Sequence, residues 1–497
     1  HHPWQQLTSE RDGEVVAATT KRFLKDYPEA LIGGCGAVFV GAGVSMGAGY
    51  PSWATLLKDV GEELGVKPGE LHDLAALAQW SIQESGSATQ VRNVIKEQIG
   101  VEHAVPETLE IIARLPVKFI WTTNYDKLIE RAFRGVNRPI DTVSGAADLA
   151  LRATPGAARL FKMHGSVERL DDVVISTDDY ELYRSKRGAF LPLLQAHLSS
   201  MSMLFLGISF TDPNIKHVLS LIRESFTSAP PEHFAIVRPP QREDFKTDTE
   251  FDARSTQHKL WSRDLKRYGL VVVEIDDYAE VPELLRQVER RVAARRVWVS
   301  GSWPPEAGGE IGKVYKVAQA IGQLVGDRGR DLVSGGGLVV GSASIAGFLD
   351  SLRSSGGWDL ERRLIARPFP QPIPGKAPDR ALWEALRAEL ARIAGVVIFI
   401  GGMKIDPATE SLMVADGVID EFEAAKTAKC FVIPIGSTGG AAAQFSDSLI
   451  GSALDTSGRN AMRPTDDELK ELARADISAD EVVKLITEIL TRLDKRA

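Results

Sequence analysis

The composition is that of an ordinary globular protein. The chain has 497 residues, 44% hydrophobic and 25% charged, which is enough for two or three domains that each bury a core. Its formal net charge of -8 argues against a surface built to neutralise nucleic-acid phosphate. Cys35 and Cys430 are too few for a disulfide framework or a four-cysteine zinc site, and no apolar run has membrane length. We therefore expect a cytoplasmic protein.

The first half of the chain alternates predicted helices and strands. Apolar periodicity predicts helices at residues 14–23, 53–60, 73–82, 90–99, 127–133 and 282–294, with another beginning near Pro213. Short buried strands are predicted at residues 37–40, 119–122, 160–163, 203–207, 234–237 and 270–275. This alternation predicts a parallel, doubly wound sheet, whose ligands bind outside the carboxyl ends of the strands.

The same pattern starts again near residue 293. Strands with glycine turns are predicted at residues 297–303, 396–404 and 430–440, helices at 310–324 and 415–425, and a strand, triple-glycine loop and helix at 331–348. No Gly/Ser-rich or Pro-rich linker separates the two halves. We expect two α/β domains, residues 1–292 and 293–497.

Polar, glycine-bearing motifs follow four predicted strands of the first domain. They read GAGVS at 41–45, TTNYD at 122–126, HGS at 164–166 and GISFTDP at 207–213. Each residue has a structural explanation when it is taken alone: Asn124 and Asp126 as turn or helix caps, Asp212 likewise, and His164 as a core histidine. Four such motifs on four strand ends, where this architecture binds ligands, instead predict a nucleotide site.

The ordered motifs GAGVS, GYPSW, TTNYD, KMHGS and GISFTDPNI resemble the sirtuin-like NAD-binding domain over residues 30–294. The resemblance implies that NAD+ binds here, with His164 as the catalytic histidine and Asn124 at the nicotinamide ribose. It assigns the remaining NAD contacts to Ala42, Gly43, Ser45, Asp126, Gly207, Ser209 and Asp212.

The protein deacylases of this family carry paired CxxC motifs after the catalytic histidine, but residues 163–203 contain no cysteine. We therefore expect no metal, and water rather than an acyl-lysine peptide as the acceptor. A sirtuin-like deacylase or ADP-ribosyl transferase, and a nucleotide-binding module without catalysis, remain as alternatives.

The glycosidic bond to nicotinamide breaks through an oxocarbenium-like state, which needs a held ribose and a polarised nucleophile. In this mechanism Asn124 orients water or a ribose hydroxyl, and Asp126 offsets charge or positions the ribose. His164, titrating near neutrality, is the general base.

The second half resembles the SLOG superfamily of nucleotide-binding domains over residues 297–450, through VSGS, SGGG, FIGGMK and GVIDEF. The catalytic signature PGGxGTxxE of related enzymes is not intact, so a sensor is expected; a packing domain with solvated charges is the alternative. The expected activator ligands are Ser302, Gly336, Arg387, Gly401, Gly402, Lys404, Gly417 and Glu421.

A sirtuin-like domain followed by a SLOG domain resembles the effector subunit of the Thoeris anti-phage systems. That resemblance implies an NAD+ hydrolase activated by a cyclic ADP-ribose isomer, which a partner TIR-domain protein makes. It also implies a homo-oligomer, a tetramer or larger, that stops phage growth by depleting NAD+.

Overall fold

The computed structural model describes residues 3–71, 73–208, 213–225, 231–356, 360–370, 373, 375–452 and 462–496. The chain forms two compact units, His1–Glu289 and Arg290–Ala497. Each unit contains its own parallel sheet. Ser209 and Asp212, two of the expected NAD ligands, lie outside the described residues.

The first unit is built on a seven-stranded parallel sheet. Its strands are β1 (Gly36–Val40), β2 (Phe119–Thr122), β3 (Ile140–Val143), β4 (Ala158–Lys162), β5 (Ser202–Leu206), β6 (His233–Val237) and β7 (Leu270–Glu274). They lie in the order β3-β4-β2-β1-β5-β6-β7. From β1 the chain first builds one side of the sheet and then crosses to β5 on the other, so the direction of winding reverses between β1 and β5.

Helices connect these strands. They are α1 (Pro3–Ile32), α2 (Ala42–Gly47), α3 (Trp53–Leu56), α4 (Lys58–Glu63), α5 (Leu74–Ser85), α6 (Thr89–Ile99), α7 (Glu107–Arg114), α8 (Leu128–Gly135), α9 (Thr177–Glu181), α10 (Tyr183–Arg187), α11 (Phe190–Ser200), α12 (Pro213–Ser225), α13 (Asp248–Asp264) and α14 (Glu280–Ala294). Helix α11 packs Phe190 and Leu194 onto the sheet beside Phe39 and Trp121. A parallel sheet has to be covered in this way because its strands are apolar.

The second unit contains a five-stranded parallel sheet and a two-stranded hairpin. The strands are β8 (Arg296–Ser302), β9 (Asp331–Ser334), β10 (Leu364–Ala366), β11 (Val396–Gly401), β12 (Met403–Ile405), β13 (Leu412–Val414) and β14 (Phe431–Pro434). The sheet order is β10-β9-β8-β11-β14, and β12 pairs with β13 in the antiparallel hairpin. Here the winding reverses between β8 and β11.

Both faces of this second sheet are buried. On β11, Val396 and Ile398 belong to one hydrophobic core, whereas Val397 and Phe399 belong to the core on the opposite face. The covering helices are α15 (Ile311–Asp327), α16 (Val340–Ser355), α17 (Leu360–Arg363), α18 (Arg380–Ile393), α19 (Asp416–Thr427), α20 (Gly440–Leu449), α21 (Asp466–Leu472) and α22 (Ala479–Arg496). Burial on both faces explains why the strand reads as a continuous apolar run.

The predicted fold class, a doubly wound parallel α/β domain followed by a second Rossmann-like domain, is confirmed. The predicted helix at 53–60 is divided at Leu57 into α3 and α4. The sequence pattern did not predict β3, β10 or the β12–β13 hairpin, which are three or four residues long per strand. In the described ranges, no helix combines the length and apolar character that a membrane crossing requires.

Two glycines allow α15 and α16 to approach closely. A Cβ atom on Gly322 would overlap the carbonyl oxygen of Ser344, and one on Gly347 would overlap that of Gln319. Gly312 lies in the same helix as Gly322, but a Cβ there would meet no atom within 4 Å. Helix α15 therefore needs glycine at position 322 but not at position 312.

We expect Gly322→Ala to lower the free energy of unfolding by about 1–3 kcal/mol, because the added methyl group forces two packed helices apart. Gly312→Ala is the matched control, and it should be neutral or stabilising by up to about 1 kcal/mol since alanine favours helix. Calorimetric unfolding of the two variants and the unsubstituted chain measures this. Equal stability of the two variants would contradict the packing of α15 on α16.

Candidate functional site

The first candidate site lies where the winding of the first sheet reverses. In the sheet register Val40 at the end of β1 pairs with Thr122 on one side and with Leu206 on the other. The glycine turns that follow β1 and β5 are therefore neighbours. This crevice is where open α/β sheets bind their ligands.

The two glycine turns are in direct backbone contact. The Gly43 amide donates to the Gly207 carbonyl oxygen at 2.8 Å. Gly207 has φ +62°, and a Cβ there would lie 2.6 Å from the amide nitrogen of Val44. Only glycine fits at Gly207. Because its amide is bonded within the protein, Gly43 builds the turn, and that N–H is not offered to a phosphate.

A buried polar network extends from this contact. Helix α2 begins at Ala42 and carries Ser45, whose hydroxyl donates to Asp126 Oδ2 at 2.6 Å. Asn124 Nδ2 donates to Ser45 Oγ at 2.8 Å and to the Gly41 carbonyl oxygen at 3.0 Å. Asp126 Oδ1 accepts from the Leu128 amide at 2.9 Å. The structure thus brings together expected residues of the first and second motifs with Gly207 of the fourth.

His164 lies in the turn after the neighbouring strand, β4. In the register of β2 and β4, Thr122 pairs with Lys162. Asn124 is two residues after Thr122, and His164 is two residues after Lys162, so the two side chains follow adjacent strand ends. The imidazole is buried and meets the Tyr180 ring edge to face, with centroids 5.5 Å apart. The third motif therefore reaches the same edge of the sheet as the other three.

The expectation that His164 titrates near neutrality is wrong. Burial, together with the positive charge of Arg187, lowers the pKa of His164 from 6.5 to about 3. A low-dielectric environment disfavours the charged form, and a nearby cation disfavours it further. The imidazole is therefore neutral at physiological pH and can accept a proton or a hydrogen bond.

Arg187 also shapes the turn after His164. Its buried guanidinium donates to the Asp172 carbonyl oxygen at 2.6 Å and to Asp172 Oδ2 at 2.8 Å. A Cβ on Gly165, at φ +89°, would lie 2.9 Å from the same carbonyl oxygen. Arg187 and Tyr183 belong to α10, far from His164 in sequence, and the sequence alone did not identify them because they form no motif with it.

The second candidate site lies where the sheet of the second unit reverses. The Gly402 amide donates to the Ser302 carbonyl oxygen at 2.8 Å, and Ser302 Oγ donates to the Met403 carbonyl oxygen at 3.0 Å. The Gly401 amide donates to the buried Thr438 hydroxyl at 2.8 Å. The turns that follow β8 and β11 are thus in direct contact, as the turns that follow β1 and β5 are in the first unit.

A buried carboxyl group lies beside these turns. Ser300 Oγ donates to Glu421 Oε2. Burial raises the pKa of Glu421 to about 7, against the opposing effects of the Ser300 hydrogen bond and the Arg387 charge. Arg387 Nη1 lies 3.4 Å from Asp420 Oδ2, and its guanidinium lies 5.4 Å from the centre of the Phe369 ring.

Three other expected activator ligands, Lys404, Gly417 and Gly336, lie in the segments that follow β9 and β11. Lys404 Nζ lies 2.5 Å from Asp416 Oδ2, and a Cβ on Gly417 would lie 3.2 Å from Arg387 Nη2. Gly336, at φ +71°, belongs to the loop after β9. In that loop Val339 has φ +64°, which is strained for a β-branched residue. Such strain is concentrated at ligand-binding loops, and sequence patterns do not reveal it.

Both units therefore have the architecture of nucleotide-binding α/β domains, with polar side chains gathered where the sheet reverses. Among the described residues, no group of three or more His, Cys, Asp or Glu side chains is arranged to hold a metal ion.

Comparison with protein families gives the class of each unit. Residues 118–260 match the SIR2-like domain, and residues 280–493 match the Sir2- and TIR-associating SLOG family. The chain joins a sirtuin-like domain to a SLOG domain.

Whole-chain relatives give the family. The chain is 33% identical over 418 residues to the NAD(+) hydrolase ThsA of Bacillus cereus (strain MSX-D12), which covers 84% of this chain and 87% of the relative. It is 32% identical over 440 residues to the NAD(+) hydrolase ThsA of Enterococcus faecium, and the alignment covers 86% of this chain and 90% of the relative. Defense-associated sirtuin 2 of Bacillus subtilis is 26% identical over 40% of this chain and 20% of the relative. The chain belongs to the ThsA family of NAD(+) hydrolases.

The neutral state of His164 can be measured directly. In a histidine-labelled sample, with the signal assigned by its loss in His164→Gln, we expect the imidazole resonances to stay constant between about pH 5 and pH 8. The same residue in the urea-unfolded chain should titrate near the ordinary histidine pKa of about 6.5. A midpoint at that ordinary value in the folded chain would contradict the buried environment described here.

Proposed function

We propose that this protein hydrolyses NAD+ to nicotinamide and ADP-ribose in anti-phage defence. Residues 1–292 form the catalytic domain, and residues 293–497 form the sensor that switches it on. The observation that carries the catalytic proposal is the buried network of Asn124, Ser45 and Asp126, in which Asn124 follows the strand adjacent to the one that His164 follows. Its position at the reversal of the sheet is the expected place for a nucleotide.

The chemistry of the bond suits these side chains. Nicotinamide leaves as a neutral molecule from a cationic pyridinium, so no strong general acid is needed. The ribose carbon left behind is oxocarbenium-like and reacts with a weakly activated nucleophile. We assign Asn124 to orienting water or a ribose hydroxyl, and the Asp126 carboxylate to the ribose beside the developing positive charge.

A weak base is sufficient for this reaction. Water becomes strongly acidic as it bonds to an oxocarbenium carbon, and a neutral imidazole held next to it can take the proton. Burial and Arg187 keep His164 in that neutral form. His164 therefore acts as the proton acceptor without titrating near neutrality itself.

The rest of the NAD+ molecule is assigned to the glycine turns. Ala42, Gly43 and Ser45 surround the phosphates and the neighbouring ribose, and the start of α2 adds positive potential. Gly207, Ser209 and Asp212 take the adenosine side. Glycine at these positions lets the two turns approach each other, and their place at the reversal of the sheet supports this assignment.

Two alternatives fit less well. A deacylase or ADP-ribosyl transferase needs a place for the second substrate, and in sirtuin deacylases a zinc module helps to form it. Here the segment between β4 and β5 folds into α9, α10 and α11, which contribute Tyr180, Tyr183 and Arg187 around His164. A binding module without catalysis is disfavoured because the whole-chain relatives are NAD(+) hydrolases.

We assign the second site to a cyclic ADP-ribose isomer made by a partner TIR-domain protein. Arg387 and Lys404 supply positive charge for its phosphates, and Glu421 with Ser302 supplies hydrogen-bond partners for ribose hydroxyls. Gly336, Gly401, Gly402 and Gly417 let the backbone approach the ligand. Lys404 is paired with Asp416, so an arriving phosphate competes with that carboxylate.

Activation requires that the ligand bind the active state more tightly than the inactive one. A constitutive NAD+ hydrolase would poison its own cell, which favours low basal activity. We propose that the functional form is a homo-oligomer, a tetramer or larger, because symmetric assemblies commonly make such a switch cooperative.

Loss of the catalytic side chains should abolish turnover without abolishing binding. We expect Asn124→Ala and His164→Ala each to lower kcat for NAD+ cleavage by about 100-fold or more, because each removes a group that acts on the nucleophile. Nicotinamide release under activating conditions measures kcat, and calorimetric titration measures NAD+ binding. The matched controls are Asn93→Ala and His217→Ala, at two exposed positions, which should leave kcat unchanged. Wild-type turnover in both catalytic-site variants would exclude this site.

Charge reversal in the second site should change sensitivity to the activator. We expect Lys404→Glu to raise the half-maximal activator concentration about 10-fold to 100-fold, which corresponds to the loss of one charge-assisted hydrogen bond. Maximal turnover at saturating activator should be retained. Lys484→Glu makes the same charge change at an exposed position on α22 and is the control. An unchanged activation curve for Lys404→Glu, or full turnover without any cyclic ADP-ribose isomer, would exclude the proposed sensor.

A further inference from the structure

A buried ion pair lies directly behind the candidate catalytic residues. Lys162 is the last residue of β4 and has no exposed surface, and Glu130, in the first turn of α8, is 8% exposed. Lys162 Nζ lies 2.9 Å from Glu130 Oε1. Taking both charges out of water costs several kcal/mol per ion, and apolar residues of similar size often replace such pairs without loss of stability. Stability alone therefore gives no reason for a lysine here.

The ammonium group also holds the loop that follows β2. Lys162 Nζ donates to the carbonyl oxygen of Asp126 and lies 3.5 Å from that of Tyr125. These two carbonyl groups belong to the loop that carries Asn124 and the Asp126 side chain. Lys162 is two residues before His164 in the chain, so one side chain connects the end of β4, which His164 follows, to the loop that carries Asn124.

Glu130 supplies the countercharge. Within the described part of the chain, neither of its carboxylate oxygens has a hydrogen-bond partner, so the Lys162 contact is electrostatic rather than directional. The directional bonds of the ammonium group go instead to the loop carbonyl oxygens. Glu130 thus lies against Lys162 as its partner in the ion pair, while Lys162 holds the loop.

We propose that Lys162 is a positioning residue for NAD+ cleavage, which sets the distance between His164 and the Asn124 loop, with Glu130 as its buried counterion. This proposal rests on the assignment of Asn124 and His164 as the catalytic pair. The reaction is sensitive to that distance because misplacing a reacting group by 1 Å can cost about 100-fold in rate.

The double variant Lys162→Met/Glu130→Leu separates positioning from stability. Both charges are replaced by apolar side chains of similar length. Removing the desolvation cost of the ion pair offsets the loss of the hydrogen bond to the Asp126 carbonyl oxygen, so the melting temperature should change little. We expect kcat for NAD+ under activating conditions to fall on the order of 100-fold, because the loop loses its anchor. KM should change by less than about threefold, because the glycine turns that carry the rest of the nucleotide are unaltered.

A matched control is Arg138→Met. Arg138 is also a partly buried cation that donates to backbone carbonyl oxygens, those of Ala113, Leu115 and Val117, but these carry no catalytic side chain. Its loss should lower the melting temperature and leave kcat within about twofold of wild type. Wild-type kcat in a folded Lys162→Met/Glu130→Leu variant would overturn the positioning role.

Glu130→Gln tests the same point if the double variant does not fold. It leaves the amine at the Asp126 carbonyl oxygen, so kcat should stay within about fivefold of wild type; a loss near 100-fold would overturn the claim that the loop contacts are what matter. Asn124→Ala and His164→Ala, measured alongside, distinguish a failure of the site assignment from a failure of the role of Lys162. Full turnover in those variants overturns the site assignment, whereas their inactivity with an active double variant overturns the role of Lys162 alone.

Discussion

The hydrogen bond from Gly43 to Gly207 is the constraint on which the first site depends. It joins the turns after β1 and β5 so closely that a side chain on Gly207 would collide with the other turn. Once that distance is fixed, α2 has to start at Ala42, and Ser45 is brought onto Asn124 and Asp126. The candidate nucleotide site and the polar network of Ser45, Asn124 and Asp126 both adjoin this one backbone contact.

The second unit uses the same constraint for different chemistry. Its turns after β8 and β11 are joined through Gly402 and Ser302, but the side chains gathered there are Arg387, Lys404 and Glu421. These groups suit phosphate and hydroxyl recognition, whereas the first site presents a neutral imidazole beside a polar network. Two related folds therefore present different side chains at corresponding positions, and function depends on those side chains rather than on the fold.

The sequence predicted the strands that end in motifs, because a buried apolar run followed by glycine and polar residues has few other uses. It did not predict β3 or β10, which are short edge strands with little periodicity. The roles proposed for Asn124 and His164 come from family resemblance and position, but the protonation state of His164 could not be predicted from them. That state depends on burial and on Arg187, which the fold brings from α10. Lys162 was visible in KMHGS, yet its contacts with Asp126 and Glu130 exist only in three dimensions.

Product analysis in isotopically labelled water tests most directly whether water is the acceptor at this site. NAD+ is incubated in H2¹⁸O with the purified chain and an activating cyclic ADP-ribose isomer, and all nicotinamide-derived and ribose-derived products are weighed by mass spectrometry. Hydrolysis at the Asn124 and His164 site predicts equal amounts of nicotinamide and ADP-ribose, with one ¹⁸O atom on the ribose. Two results would contradict hydrolysis as the reaction at this site. One is nicotinamide release that requires an acylated peptide, and the other is ADP-ribose that is attached to protein or cyclised without the label.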